Sequence, residues 1–296
     1  MENLTVLTPT YNRADTLKKC YTSLISQTNK NFEWLIVDDG STDNTEQLIK
    51  EFAKNDLISI NYIRKPNGGK HTAVNNATKL INSLLTIILD SDDYLAVDAI
   101  EQIYTHYEIY KDINNICGFT FLKNYPNGEF MGTAFPHEGV YNFIDYRVNG
   151  IVKGEYCDVF FTKYLKQYPF SEFKNEKYIG ESTVWIKMAE KYEMVAINKS
   201  IYIAEYLETG LTKNGRELRI ASPLGGMEYS QICMSKRCSV RRRLKSGILY
   251  NCYGIIVGMN IISIVKSNNH QILTLLTYPF GLSLYKIWRI KYKKRG

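Results

Sequence analysis

The chain has 296 residues, 45% of them hydrophobic and 23% charged, which suits one large globular domain or a domain with an appendage and excludes disorder over most of its length. Its formal charge is +7, and the positive excess is concentrated late, in "KRCSVRRRLK" (Lys236 to Lys245) and the closing "KIWRIKYKKRG", so the last quarter is expected to meet an anionic surface. Six cysteines, at 20, 117, 157, 233, 238 and 252, form no C-x-x-C pair, which excludes a zinc knuckle and a disulfide framework and points to a reducing cytosol; "MENLTVLTPTYNR" lacks the basic and apolar regions of a signal peptide.

In chain order, "LTVLTP" reads as a short strand. The following "ADTLKKCYTSLISQ" sets Leu17, Cys20, Tyr21, Leu24 and Ile25 at helical spacing, and "FEWLIVDD" is a second strand. A helix is expected from about Asp43, where Asp43 and Glu46 are spaced for a capping box. Then come "LISINYIRK" as a strand, "KHTAVNNATKLI" as a helix and "LLTIILD" as a fourth strand. This alternation implies parallel strands joined by crossover helices. In such sheets ligands bind outside the carboxyl ends of the strands. Those ends read "TPTYNR", "DDGSTDNT", "KPNGGKH" and "DSDD", polar loops gathered at one edge.

From about Cys117 to Tyr206 the pattern loosens into short aromatic-rich strands, with an Asn127-Gly128 hairpin signal and one helix, "ESTVWIKMAEKYE". From about Lys213 the chain reads as helices. Ser246 to Val265 and Ser267 to Tyr285 are uncharged over about the length that spans a bilayer. Asn251, Asn260, Asn268, Asn269, His270 and Gln271 make both weak as spanning segments. Amphipathic helices lying on a membrane, with basic residues toward anionic headgroups, fit equally well, as does a helical appendage packed on the domain before it.

Three aspartates, Asp90, Asp92 and Asp93, close the fourth strand. Clustered carboxylates repel unless a cation neutralises them, and hard divalent ions take oxygen ligands from one or two carboxylates plus phosphate. Period two places Asp90 and Asp92 on one side of a continuing strand. The bland alternative is that Asp92 or Asp93 caps a helix beginning near Val97. Asp38 and Asp39 suit either a turn or hydrogen bonds to a uracil imide and a ribose hydroxyl. "NGGKHTA" allows close backbone approach to a ligand and offers Lys70 to a phosphate, yet lacks P-loop spacing. Glu181 opens a helix, where the macrodipole alone favours it. The four histidines show no metal-ligand pairing, and no nucleophile elbow is present, which leaves hydrolase chemistry without a foothold.

Taken together and in order, "TPTYNR", "WLIVDDGSTDNT", "NGGKHTAVNNA", "LDSDDYL" and "GESTVW" resemble the family 2 glycosyltransferases with the GT-A fold, over roughly residues 1 to 210. The resemblance implies an α/β fold, Rossmann-like, with a mostly parallel central sheet flanked by helices; from the late residues themselves a C-terminal helical, membrane-associated extension is expected. It implies a catalytic domain over 1–212, with a nucleotide-binding half about 1–110 and an acceptor half about 111–212; the basic residues that follow are expected to form a helical extension over 213–296. It further implies inverting transfer of a sugar from a nucleotide-diphosphate donor, of UDP type, to an acceptor hydroxyl with Mg²⁺ or Mn²⁺. Position by position, Thr8, Pro9 and Tyr11 match the first nucleotide-contacting loop, Asp39 the aspartate that reads uracil with Asp38 beside it, and Lys70 a basic residue lining the nucleotide. Asp90 and Asp92 match the metal-binding D-x-D, Asp92 being the direct ligand. Glu181 stands where the family places its catalytic Asp, although Gly180 replaces the preceding acidic residue.

"GESTVW" followed by "EYLETGLTKN" (Glu205 to Asn214) resembles a subgroup from bacterial capsule, exopolysaccharide and O-antigen clusters. The expected partners are a nucleotide-sugar donor, a glycan or lipid-linked glycan acceptor and an anionic membrane surface, with no nucleic acid. The expected place is the cytoplasmic face of a cell membrane. Competing readings are a nucleotidyltransferase, which should carry a glycine-rich basic loop where "TPTYNR" stands, and a non-catalytic membrane scaffold that kept the fold.

Overall fold

A computed structural model describes residues 3–205 and 215–292. Contacts divide them into two units, the first formed by residues 3–142, 151–169 and 191–205 and the second by 143–150, 170–190 and 215–292.

The first unit is built on one nine-stranded sheet. Strands β1 (Leu4–Thr10), β2 (Glu33–Asp38), β3 (Ser59–Arg64) and β4 (Leu85–Ile88) run parallel in the spatial order β3-β2-β1-β4. Helices α1 (Leu17–Ile25), α2 (Thr45–Lys54) and α3 (Lys70–Thr78) form their crossovers, as the alternating pattern predicts. Thr10 lies opposite Asp38, and Asp38 opposite Arg64, so the carboxyl ends of β1, β2 and β3 finish level. As a central strand of the parallel half, β1 is buried along its whole length, and its Thr5 and Thr8 hydroxyls are hydrogen-bonded to Glu33 and Trp34.

Beyond β4 the sheet is mixed. The strand β8 (Tyr156–Phe161) lies antiparallel between β4 and β6 (Ile116–Asn124), and β9 (Glu193–Ile203) runs parallel to β6. Short strands β5 (Tyr94–Leu95) and β7 (Gly139–Tyr141) pair antiparallel with β9. The mostly parallel sheet expected from sequence therefore holds for β1 to β4 and gives way to a mixed arrangement where β8 is inserted. The Asn127-Gly128 signal is a tight turn, with Gly128 at φ +88° and Asn124 bridging Phe130 across it. Helices α4 (Ala99–Tyr110) and α5 (Thr162–Gln167) complete the unit.

Trp34 on β2 anchors the core. It is fully buried beside Tyr21 and Phe52, which stack on each other at 4.0 Å, and its indole N–H donates to Thr8 Oγ1 at 2.9 Å. The expected capping box does not form. Asp43 Oδ1 accepts from the Thr45 N–H at 3.0 Å, but the Glu46 carboxylate turns to Lys50 at 2.6 Å and Arg64 at 3.7 Å, cations being the stronger partners for it.

The second unit is helical: α6 (Ser182–Ala189), α7 (Gly215–Ala221), α8 (Pro223–Ile232), α9 (Val240–Ile256), α10 (Ile261–Lys266) and α11 (Gln271–Tyr292), with a π-helical turn at Ile144–Val148. Buried Glu176 accepts from the N–H groups of Leu224 and Gly225 at 2.7 and 2.9 Å, placing a carboxylate on the positive end of α8. The uncharged run from Ser246 is interrupted at Gly258, whose φ of +89° ends α9 before α10 begins. No described helix is long and apolar enough to cross a membrane.

Asn251, one of the residues that weakened the spanning reading, is fully buried. Its amide donates to Gly247 O and Thr274 O, both at 2.9 Å, and to Thr277 Oγ1 at 3.1 Å, tying α9 to α11. The helices approach closely because Gly281 has no side chain: a Cβ there would lie 2.4 Å from Asn251 Cβ and 2.9 Å from Ile248 O. Gly281→Ala is therefore expected to lower stability by about 1–3 kcal/mol, the usual effect of overpacking. Thermal unfolding reads it, and an unchanged midpoint would mean that the helices do not meet at Gly281.

Candidate active site

The loops leaving β1 and β2 are stitched together by buried polar groups. Asp38 is fully buried, its Oδ1 accepting the Ser41 N–H and its Oδ2 the Tyr62 hydroxyl, each at 2.8 Å. Asn12, at φ +51°, donates its N–H to Ser41 Oγ at 2.9 Å and accepts the Thr42 N–H at 2.7 Å. Asn tolerates this left-handed conformation better than most residues. The Arg13 N–H reaches Thr45 Oγ1 at 3.1 Å.

Asp39 closes the loop after β3 around itself. Its Oδ1 accepts from Lys65 Nζ at 2.6 Å and from the Gly68 N–H at 2.9 Å; its Oδ2 accepts from the Gly69 N–H at 2.6 Å and Asn67 Nδ2 at 3.1 Å. Glycines are needed on both sides of this contact. Gly40 has φ +84° and a Cβ there would lie 3.0 Å from Asn67 N, while Gly69 has φ +95° where α3 begins.

At the end of β4 the three aspartates have different partners. Asp90 pairs with Lys70, while Asp92 Oδ2 faces Arg13 Nη2 at 3.4 Å. Asp93 is buried, accepting the Tyr202 hydroxyl at 2.8 Å and the Glu205 N–H at 3.3 Å. The same Tyr202 oxygen accepts the Asp90 N–H at 3.0 Å, and Lys123 Nζ lies 4.0 Å from the centre of its ring. Burial raises the pKa of Asp90, but Lys70, Lys123 and Arg13 outweigh it and hold that carboxyl below its ordinary range. Burial and the Asp90 charge push Asp92 up despite Arg13, and they push Asp93 up to about 7. Burial and the adjoining carboxylates keep the Tyr202 phenol protonated.

Thus Lys70, Asp90 and Asp92 stand together at this edge. Of the first loop, Tyr11 is 46% exposed, Pro9 is buried, and the Thr8 hydroxyl is engaged by Trp34. The buried Thr10 hydroxyl has no hydrogen-bond partner among the described residues. Glu181 belongs to the second unit, at the N-cap of α6, where its carbonyl accepts the Val184 N–H at 2.9 Å. Asp93 does not cap the next helix: α4 starts at Ala99 with Asp98 as N-cap, and the Asp93 carboxylate is committed to Tyr202. Sequence reading passed over Arg13, although it lies in "TPTYNR". It had no signal for Lys123 or Tyr202, which reach the cluster from distant strands. Most of "EYLETGLTKN" lies outside the described residues.

No group of three or more His, Cys, Asp or Glu side chains among the described residues could hold a metal ion by itself. Asp90 and Asp92 nevertheless suit Mg²⁺ or Mn²⁺: both offer hard oxygen donors at one strand end, and Asp92 meets Arg13 only at 3.4 Å. Such ions commonly take one or two carboxylates and complete their shell with substrate phosphate and water.

The chain is thus an α/β protein whose parallel β1–β4 half-sheet gathers paired carboxylates and cations at its carboxyl edge, where such sheets commonly bind ligands. The model of Glycosyl transferase family 2 matches residues 5–163, just over half of the chain, and the chain belongs to that family. It is 26% identical over 208 residues to the GalNAc(5)-diNAcBac-PP-undecaprenol beta-1,3-glucosyltransferase of Campylobacter jejuni, covering 69% of this chain and 62% of that protein. Three other curated relatives, 35 to 38% identical over 103 to 134 residues, are far longer, and the chain spans only 13 to 15% of their length.

Among solved structures, residues 1–349 of S. aureus TarS in complex with UDP-GlcNAc give a TM-score of 0.62 at 16% identity, covering 98% of this chain and 91% of that one. A mannosyltransferase from Pyrobaculum calidifontis, in complex with GDP-Man and Mn2+, gives 0.57 at 15% identity, covering 97% and 82%. These likenesses show a shared GT-A-like fold.

Replacing Asp39 by Ala removes the acceptor for Lys65 and for the Gly68 and Gly69 N–H groups, all within a mostly buried cluster. Breaking one side of a buried pair typically costs about 3–5 kcal/mol. Denaturant unfolding of Asp39→Ala is expected to show a loss of that order, against under 1 kcal/mol or so for the exposed Lys50→Ala. Equal, small losses in both would show that Asp39 does not hold the loop.

Proposed function

We propose that this chain is an inverting glycosyltransferase that moves a sugar from a nucleoside-diphosphate donor, of UDP type, to an acceptor hydroxyl. The observation that carries the reading is the edge where Lys70 and Arg13 meet Asp90 and Asp92, beside the loops that Asp38 and Asp39 hold shut. Family membership and the nucleotide-sugar complexes of structurally similar proteins support it. Asp92, with Asp90, would hold Mg²⁺ or Mn²⁺, which when bound stabilises negative charge on the diphosphate leaving group.

The chain's own residues do the rest. Lys70 and Arg13 turn from their carboxylates toward diphosphate oxygens, Tyr11 stacks against the base, and the ordered loops keep the nucleotide in one pose. Glu181 accepts the proton of the acceptor hydroxyl as its oxygen attacks the anomeric carbon. The new C–O bond forms opposite the breaking bond to the diphosphate, and the nucleoside diphosphate departs with that bonding pair. The configuration at the anomeric carbon is thereby inverted.

Residues 1–212 are assigned as the catalytic domain, with the donor half within about 1–110, and residues 213–296 as its helical extension. The acceptor is assigned as a lipid-linked oligosaccharide at the cytoplasmic face of a membrane, in surface polysaccharide synthesis. The Campylobacter relative, whose name specifies an undecaprenol diphosphate glycan, supports this.

Donor turnover across a panel of nucleotide sugars with Mn²⁺ tests the assignment. Asp92→Ala is expected to abolish both turnover and the thermal stabilisation given by UDP with Mn²⁺. Glu181→Gln should keep the stabilisation but lose about 10²- to 10⁴-fold in transfer, the range of general-base help. Equal turnover in wild type and Asp92→Ala, or none in either across the panel, would overturn it.

A further inference from the structure

The second unit contains an open-sided cavity of about 370 Å³ lined by Arg216, Lys245, Ile248, Leu249, Leu284 and Trp288. Helical spacing creates it: Lys245, Ile248 and Leu249 share one face of α9, Leu284 and Trp288 one face of α11, and Arg216 comes from α7. Two cations thus adjoin four apolar side chains, with no acidic residue in the wall. Trp288 is fixed edge-on against Tyr253 with ring centres 5.7 Å apart. Neither Arg216 nor Lys245 is ion-paired with a carboxylate among the described residues.

Next to this cavity α11 presents an unusual surface. Ile272, Leu276, Phe280, Ile287 and Ile290 are 58 to 79% exposed. At about 100° per residue they fall on one stripe roughly 80° wide, adjoining the face that carries Leu284 and Trp288. Lys286 and Lys291 fall on either side of it. A contiguous exposed apolar face bordered by cations marks an interaction surface, and the combination is that of a helix lying in a membrane interface. Since no described helix can cross a bilayer, lying on it is the mode this geometry permits.

We propose that the cavity binds the net-anionic, phosphate-bearing head of a long-chain lipid, with Arg216 and Lys245 on the phosphate and Ile248, Leu249, Leu284 and Trp288 along the start of the chain. The α11 stripe enters the surrounding acyl layer. Phosphate and cation complement each other in charge, and the apolar wall distinguishes a lipid from free phosphate or a nucleotide. This deepens the reading of a lipid-linked acceptor, yet it rests on the second unit alone.

The test is co-sedimentation of the full chain with phosphatidylcholine vesicles, with and without phosphatidylglycerol. Wild type should bind only the anionic vesicles, and inorganic phosphate should not release it. Arg216→Ala/Lys245→Ala should weaken binding roughly 30-fold, from about 1 kcal/mol per cation at an anionic surface. Lys54→Ala/Lys79→Ala, which removes the same charge elsewhere, should not. Phe280→Ser/Ile287→Ser should weaken binding as well, without loss of helix by circular dichroism. Equal losses in the two charge variants would reduce the effect to net charge and overturn the site. So would release by inorganic phosphate, which would make it a plain anion site, or a dimer by sedimentation velocity that binds no vesicles, which would assign the stripe to a second copy. Donor turnover by the wild type is measured in the same preparations. Absent turnover with intact lipid binding would sink the transferase reading and leave this one standing.

Discussion

Mutual repulsion among Asp90, Asp92 and Asp93 is the constraint around which the first unit is arranged. Three carboxylates in four residues, at the end of a buried strand, need compensation, and each receives it from a different part of the chain. Lys70 comes from the first turn of α3, Arg13 from the loop after β1, and Tyr202 with Lys123 from β9 and β6. The order of strands around β4 is what allows those segments to converge. The compensation is also unequal: Asp90 is held ionised, whereas burial and the Asp90 charge disfavour the charged forms of Asp92 and Asp93. Crowded carboxylates of this kind commonly occur at functional sites.

The other pair of aspartates does different work with the same chemistry. Asp38 and Asp39 are more deeply buried, and internal N–H, hydroxyl and ammonium donors use their oxygens. Their contribution is to fix the loops after β1, β2 and β3 to one another in advance of any ligand. A site whose walls are ordered in advance spends less binding free energy on ordering them.

Much of this was legible in the residues themselves. Strands β1 to β4 stand out because each is a short β-rich run followed by a polar loop, and the alternation with helices places those loops at one edge. Lys70, Asp90 and Asp92 were found that way, and the structure brings them together. What escaped notice depends on pairing over long sequence separations. The insertion of β8, the reach of Tyr202 to Asp93 and the choice of Glu46 for Lys50 and Arg64 are settled by tertiary contacts that no local pattern encodes. Thr8 shows the limit of motif reading from the other side, since the strand alternation that carries the motif also turns its hydroxyl toward Trp34. The uncharged C-terminal runs fit neither a spanning helix nor an ordinary core helix by composition; Asn251 and Gly281 explain them as the seam of a close helix pair.

The central claim is that the Asp90–Asp92 edge becomes favourable only when a divalent cation and a diphosphate complete it together. Calorimetric titration of UDP into the protein, with Mn²⁺ and then with a chelator, tests it most directly. The account predicts saturable binding with Mn²⁺ that weakens at least tenfold or so on chelation, as ion-bridged diphosphate sites require. Binding of equal strength with and without the cation would contradict it.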